Sequence, residues 1–123
     1  IQIPDVECEY YLDEPKGQVG LEHSGRDAVI KIKKFESNII SKKPLHYENM
    51  KTLSMVMVDY NYDGKVFNFD DVFYAEDLKK QNYEIRFDSN KLDGQIMLIY
   101  IDIFGNEKRE VKKLSDFIGR RRM

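Results

Sequence analysis

A chain of 123 residues is long enough to bury one core without staples and too short for two ordinary domains. Its 41% hydrophobic and 34% charged content excludes the disordered class, and a net charge of −2 excludes a molecule that grips DNA with its whole surface. The single cysteine, Cys8, excludes an intrachain disulfide, so the chain is expected to be cytoplasmic or else to need no staples outside the cell, with the cytoplasm the expected setting.

In chain order, Val6 to Leu12 mixes apolar and acidic residues in partial alternation and predicts a strand, with Cys8 an inert inward thiol beside Val6 and Tyr10. Asp13 to Gly17 reads as a turn, Gln18 to Glu22 as a short return strand, and Ser24 to Asp27 as a second turn. Ala28 to Phe35 alternates clearly. Ala28, Ile30 and Ile32 share one face, and Lys31 and Lys33 take the other. Ser37 to Ser41 extends that strand, and Lys42 to Lys51 is a connection. His23 and His46 stand alone in loop-like contexts, so they are expected at the surface.

Leu53 to Val58 is an apolar run of strand length. Asp71 to Lys80 has a weak helical spacing through Val72, Phe73, Ala75 and Leu78, which predicts one or two turns of helix. Tyr83 to Phe87 alternates again. Gln95 to Ile103 is apolar on both faces and is placed centrally. Its two sets, Ile96, Leu98 and Tyr100 and then Met97, Ile99 and Ile101, predict one side in the core and the other under a loop or helix. Lys108 to Lys112 returns as a more polar strand with Val111 facing in. The longest apolar run, Ile96 to Ile101, is far short of the ~20 residues that span a bilayer. No signal peptide is legible. The start at Ile1 rather than Met leads us to expect a piece cut from a longer protein.

The expected whole is all-β: an antiparallel β-sandwich over residues 1–118 with one short helix at most, then a basic frayed tail at 119–123. Asp93-Gly94 opening a core strand, followed by Tyr100, Asp102, Gly105 and Asn106, resembles the last hairpin of many bacterial immunoglobulin-like domains.

The stretch Asp59 to Asp70 supports two readings. As D-x-N-x-D-G with a carboxylate at the twelfth position it has the spacing of a calcium loop, with Asp59, Asn61, Asp63 and Asp70 as side-chain ligands. As a hairpin it closes on Asp63-Gly64 and pairs Tyr62 with Lys65, Tyr60 with Phe67 and Val58 with Phe69. The hairpin accounts for the aromatic residues and the calcium loop does not, so adjacent strands Leu53 to Val58 and Lys65 to Phe69 are the expectation.

No nucleophile elbow, phosphate-cradling loop or zinc cluster is present in the sequence, so no catalytic residue is assigned. Asp70-Asp71 and Glu76-Asp77 read as solvated charge. Positive charge concentrates at Lys31, Lys33 and Lys34 and from Lys112 and Lys113 to Arg120, Arg121 and Arg122. These are the candidate phosphate contacts.

From Met55 to Val111 the run MVMVDYNYDGKVFNFDDVFYAEDL … GQIMLIYIDIFGNEKREV resembles the C-terminal part of bacterial restriction-modification proteins, in particular adenine-specific DNA methyltransferases. The family's Asp or Asn followed by Pro-Pro and an aromatic is absent, since Pro4, Pro15 and Pro44 are never adjacent, and its F-x-G-x-G is absent too. The resemblance therefore implies a non-catalytic accessory domain without a cofactor of its own. Its role would be to hold DNA, weakly and non-specifically, or a partner subunit for the rest of the parent chain. The competing expectation is a calcium-stabilised immunoglobulin-like adhesion or carbohydrate-binding module of a surface protein.

Overall fold

Alternation builds the first sheet. In the computed structural model, which describes residues 3–13, 27–37 and 49–119, strand β2 (Asp27–Glu36) lies between β1 (Asp5–Asp13) and β5 (Glu84–Asp88), antiparallel to both. Ala28, Ile30 and Ile32 point inward, as their spacing dictates, and each is at most 1% exposed. Phe35 has the wrong parity to join them. The register with β1 slips between Glu7 and Cys8, so Cys8 faces Ile32 and Glu7 faces Lys34. The extra residue on β2 turns Phe35 back into the core, where it is fully buried. A two-residue strand β8 (Ile118–Gly119) completes the sheet, pairing parallel to β1 at Tyr11 and Leu12.

The second sheet is β4 (Asp71–Tyr74), β3 (Leu53–Tyr62), β6 (Gln95–Asp102) and β7 (Glu107–Lys113), in that spatial order and antiparallel throughout. The molecule is thus an all-β sandwich. β1, β2 and β5 pair as the A, B and E strands of immunoglobulin-type sandwiches do, and β3, β6 and β7 as C, F and G, with β4 added beside β3. Leu53, Val56, Val58 and Tyr60 of β3 and Ile96, Leu98 and Tyr100 of β6 meet Ala28, Ile30, Ile32, Ile85 and Phe87 from the other sheet. At one end Phe117 closes the core, ring edge to face with Tyr10 and Phe87. Elsewhere on the core α1 (Ala75–Lys80) inserts Leu78, which has no exposed surface.

Two expectations are corrected. Lys65 to Phe69 is not a strand. Gly64 turns the chain with φ +89, but residues 63–70 then form an open loop, and β3 pairs with Asp71 to Tyr74 instead. Side chains replace the tight-turn ladder. Asp59 accepts the Asn61 and Asn68 amides, Asp63 those of Lys65 and Val66, and Asp70 that of Tyr60. The second correction follows from the first. Asp71 to Tyr74 is an edge strand, and helix is confined to Ala75–Lys80. The β-branched and aromatic residues Val72, Phe73 and Tyr74 favour strand once β3 offers an edge to pair with. The turns and short strand expected between residues 14 and 26, the extension over 38–41, both histidines, and Arg120, Arg121 and Arg122 lie outside the described residues.

Candidate interaction surfaces

The lysines singled out in β2 are brought together, but with carboxylates. β1 carries acids at alternate positions, and antiparallel pairing sets them beside the basic strand. Lys33 Nζ lies 3.0 Å from Glu9, Lys34 Nζ 2.8 Å from Asp5, and Lys31 Nζ 3.6 Å from Glu84 of β5. The resulting face is a ladder of alternating sign, not a positive stripe. Deeper on that face, Arg86 bridges Asp13 at 2.8 Å, Asp27 at 3.1 Å and Glu84 at 3.3 Å, with all four side chains less than one-fifth exposed. Lys112 lies over the Tyr10 ring, 4.9 Å from its centroid, and Lys113 is exposed on β7.

Between the sheets runs a chain of polar groups. The Cys8 thiol is 3.3 Å from the Tyr100 hydroxyl, which is 3.3 Å from that of Tyr10, and Tyr10 donates to Glu110 at 2.8 Å. Burial pushes the Cys8 thiol up to about 12 and holds the Tyr10 and Tyr100 hydroxyls well above their ordinary range. A thiol so disposed is a structural group, not a nucleophile.

The Asp59 loop gathers its carboxylates around its own backbone. Asp59 is 1% exposed and uses one oxygen on the Asn61 amide at 3.0 Å and the other on the Asn68 amide at 2.8 Å. Two amide donors hold Asp63 below the usual carboxylate range. Asn61, the remaining candidate ligand, is exposed. Among the described residues no group of three or more His, Cys, Asp or Glu side chains converges as metal ligands.

The surface that sequence reasoning did not assign a role is the outer face of the second sheet. Cross-strand register sets Tyr74, Met55, Ile101 and Glu107 in one row, Val72, Met57, Ile99 and Arg109 in the next, and Asp59, Met97 and Val111 in a third. Glu107 and Arg109 pair with each other at 2.9 Å on the β7 edge. Met97 and Ile99 are nearly buried. Met55, Met57, Val72 and Ile101 are half-buried, and Tyr74 and Val111 are exposed. Val111, expected to face in, faces outward because the register sets it opposite the outward Met97. The loop residue Asn68 bonds Asp59 on this face, so the loop crosses it beside Met97. Val66 and Phe69 of the same loop are 62% and 60% exposed. The signal was in the sequence: Leu53 to Val58 and Ile96 to Ile101 are apolar at odd as well as even positions. That pattern shows two apolar faces without saying what the second one meets.

These features define a class, a β-sandwich with one outer face laced with ion pairs and one that is mostly apolar, with charge at its β7 edge and at Asp59. Comparison with known proteins narrows it no further: no protein family, no curated protein and no solved structure matches the chain. No helix among the described residues is long and apolar enough to cross a membrane.

Proposed function

We propose that this chain is a non-catalytic module that docks a protein surface, either the rest of its parent chain or a partner subunit, against the outer face of the β4-β3-β6-β7 sheet. The observation that carries the reading is the contrast between the two outer faces. One is laced with ion pairs centred on Arg86 and the β2 lysines. The other presents Met55, Met57, Ile101, Val72, Tyr74 and Val111, half-buried or exposed, in adjacent rows, with an ion pair, Glu107–Arg109, at the β7 edge. Contiguous exposed apolar surface marks interaction sites, and methionine adapts its shape to a partner. The buried polar groups support a structural role, because Cys8, Tyr10, Tyr100 and Glu110 are spent on one another.

A restriction-modification parent remains the proposed context. The resemblance from Met55 to Val111 spans β3, β4, β6 and most of β7, which make up the proposed docking sheet. Direct DNA binding is a lesser role in this reading, because Lys31, Lys33 and Lys34 already face carboxylates. The test is a titration of the purified remainder of the parent protein into this chain by calorimetry, with Met57→Glu and Ile101→Glu as variants. Both side chains are partly exposed, so the fold should survive. Saturable binding lost in the variants is the expected result. Equal binding by both variants would show that the face is not the docking surface.

A further inference from the structure

A concave feature lies apart from the docking sheet's outer rows. Between the turn leading into β3 and helix α1 with the residues that follow it, a cleft of about 330 Å³ has a floor of Met50, Leu53, Ala75 and Tyr83 and a rim of Lys51, Lys79 and Glu76. Two of the floor residues hold left-handed backbone, Met50 at φ 72 and Tyr83 at φ 59. Asn82 is left-handed as well, at φ 55, and the Glu84 amide donates to the Gln81 carbonyl at 3.1 Å. Residues 81–84 are therefore a four-residue turn whose two central residues both have positive φ. The segment also caps α1: the Tyr83 amide donates to the Leu78 carbonyl at 2.7 Å and the Asn82 amide to that of Lys79 at 3.3 Å. Helix ends of this kind favour Gly or Asn in the left-handed position, and Asn82 conforms. Tyr83 adds a second left-handed residue, a conformation an aromatic side chain rarely adopts. The side chain held against that preference packs on the core and lines the cleft.

The polar inventory of the cleft sets the ligand's charge. Asn49, also at the cleft, is committed: its Oδ1 accepts the Phe35 amide at 2.9 Å and its Nδ2 donates to the Lys33 carbonyl at 3.0 Å. Among the described residues two ammonium groups, of Lys51 and Lys79, and one carboxylate, of Glu76, remain. Among the described residues neither Lys51 nor Lys79 lies within ion-pairing distance of a carboxylate. The rim thus offers one net positive charge above an apolar floor. We propose that the cleft binds a small organic monoanion, an apolar body about the size of a benzene ring bearing one carboxylate that Lys51 and Lys79 recognise. Its volume is at the small end of the range for ligand pockets. The inference does not rest on the docking role, and its test uses no partner protein.

The probe is phenylacetate, titrated into the isotope-labelled chain and followed by amide chemical shifts, with 2-phenylethanol as the uncharged analogue. Saturable shifts confined to residues 49–53, 75–79 and 83–84 are expected, with the alcohol binding at least about tenfold more weakly. The double variant Lys51→Gln/Lys79→Gln alters only exposed side chains and should lose a similar factor. Tyr83→Asn keeps a residue that tolerates the left-handed turn and should lose the site while the chain stays folded. No saturable shift at about 10 mM phenylacetate, equal affinity for the alcohol, or full affinity in the lysine double variant would each overturn the proposal.

Discussion

At the scale of single residues, the polar groups inside this sandwich are almost all paired, and the consequences are measurable. Cys8 is held at about 12, so at pH 8 its thiolate population is about one in ten thousand. The native protein should stay silent to a thiol reagent that reacts at once in denaturant, and fast native labelling would contradict the burial. The same shift has a sign in stability. The unfolded thiol ionises near 9 and the folded one near 12, so the folded state holds its proton longer. Stability is fully present below pH 9 and is lost as pH rises from 9 toward 12, by up to about 1.4 kcal/mol per pH unit for this one group. Tyr10, Tyr60 and Tyr100 are displaced upward too and steepen the fall. Urea midpoints that fail to drop between pH 8 and pH 11 would overturn this account. Thr52 is the exception among the described residues, since its buried Oγ1 has no hydrogen-bond partner. Thr52→Val should leave stability unchanged or raise it by about 0.5–1 kcal/mol in a denaturant titration, because the hydroxyl is removed where it is not bonded.

At the scale of elements, β6 is the centre of the second sheet, flanked by β3 and β7 and apolar on both sides. Leu98 faces the inter-sheet core with no exposed surface, and Ile99 faces outward yet is 3% exposed. Truncating either to Ala should cost about 2–4 kcal/mol in urea melts. A loss under about 1 kcal/mol for Ile99 alone would mean that the outer face yields to collapse, which the docking reading does not allow. The loop at 63–70 is a different kind of element, held by side-chain oxygens. Asp59 gives both of its oxygens to loop amides from a buried position. Asp59→Ala should therefore destabilise the protein by about 2 kcal/mol and raise amide exchange at Asn61 and Asn68, with β1 and β2 unaffected. In the competing calcium reading the same carboxylate is a ligand. Millimolar calcium would then raise the melting temperature of the native chain and not of the variant, and the docking reading expects no shift in either.

At the scale of the whole molecule, charge is distributed so that it cancels locally. β1 supplies the acids that face β2's lysines, and Arg86 is surrounded by Asp13, Asp27 and Glu84. Intrinsic DNA affinity should therefore be weak and strongly salt-dependent, the signature of a few phosphate contacts through counterion release. Fluorescence anisotropy of a labelled duplex at low and near-physiological salt checks this. Tight, salt-insensitive or sequence-selective binding would show a reading surface that the strand register does not reveal. The free edges fit a chain that associates through a face. β7 is charged at six of its seven positions, which discourages edge-to-edge pairing, and β4 is only four residues long.

The sequence by itself determined the strands whose neighbours did not matter. Ala28, Ile30 and Ile32 alternate with lysines, and the length and two-sided apolarity of Gln95 to Ile103 require a central strand, so β2 and β6 were legible from period and composition alone. Tertiary structure decided everything that depended on a partner strand. The slip at Cys8 that turns Phe35 inward is a property of the β1–β2 register, not of either segment. Asp71 to Tyr74 became strand because residues 55–58 of β3 offer an edge to pair with, and a weak helical period could not compete with that pairing. The Asp59 loop opened because side-chain carboxylates, Asp59 from a buried position and Asp63 and Asp70 from the surface, accept its amides. The candidate lysines lost their meaning as a positive stripe for the same reason. Charge is a local property of a residue, but the field it makes depends on what the fold sets beside it, and here the fold set acids from β1 and β5 against bases from β2.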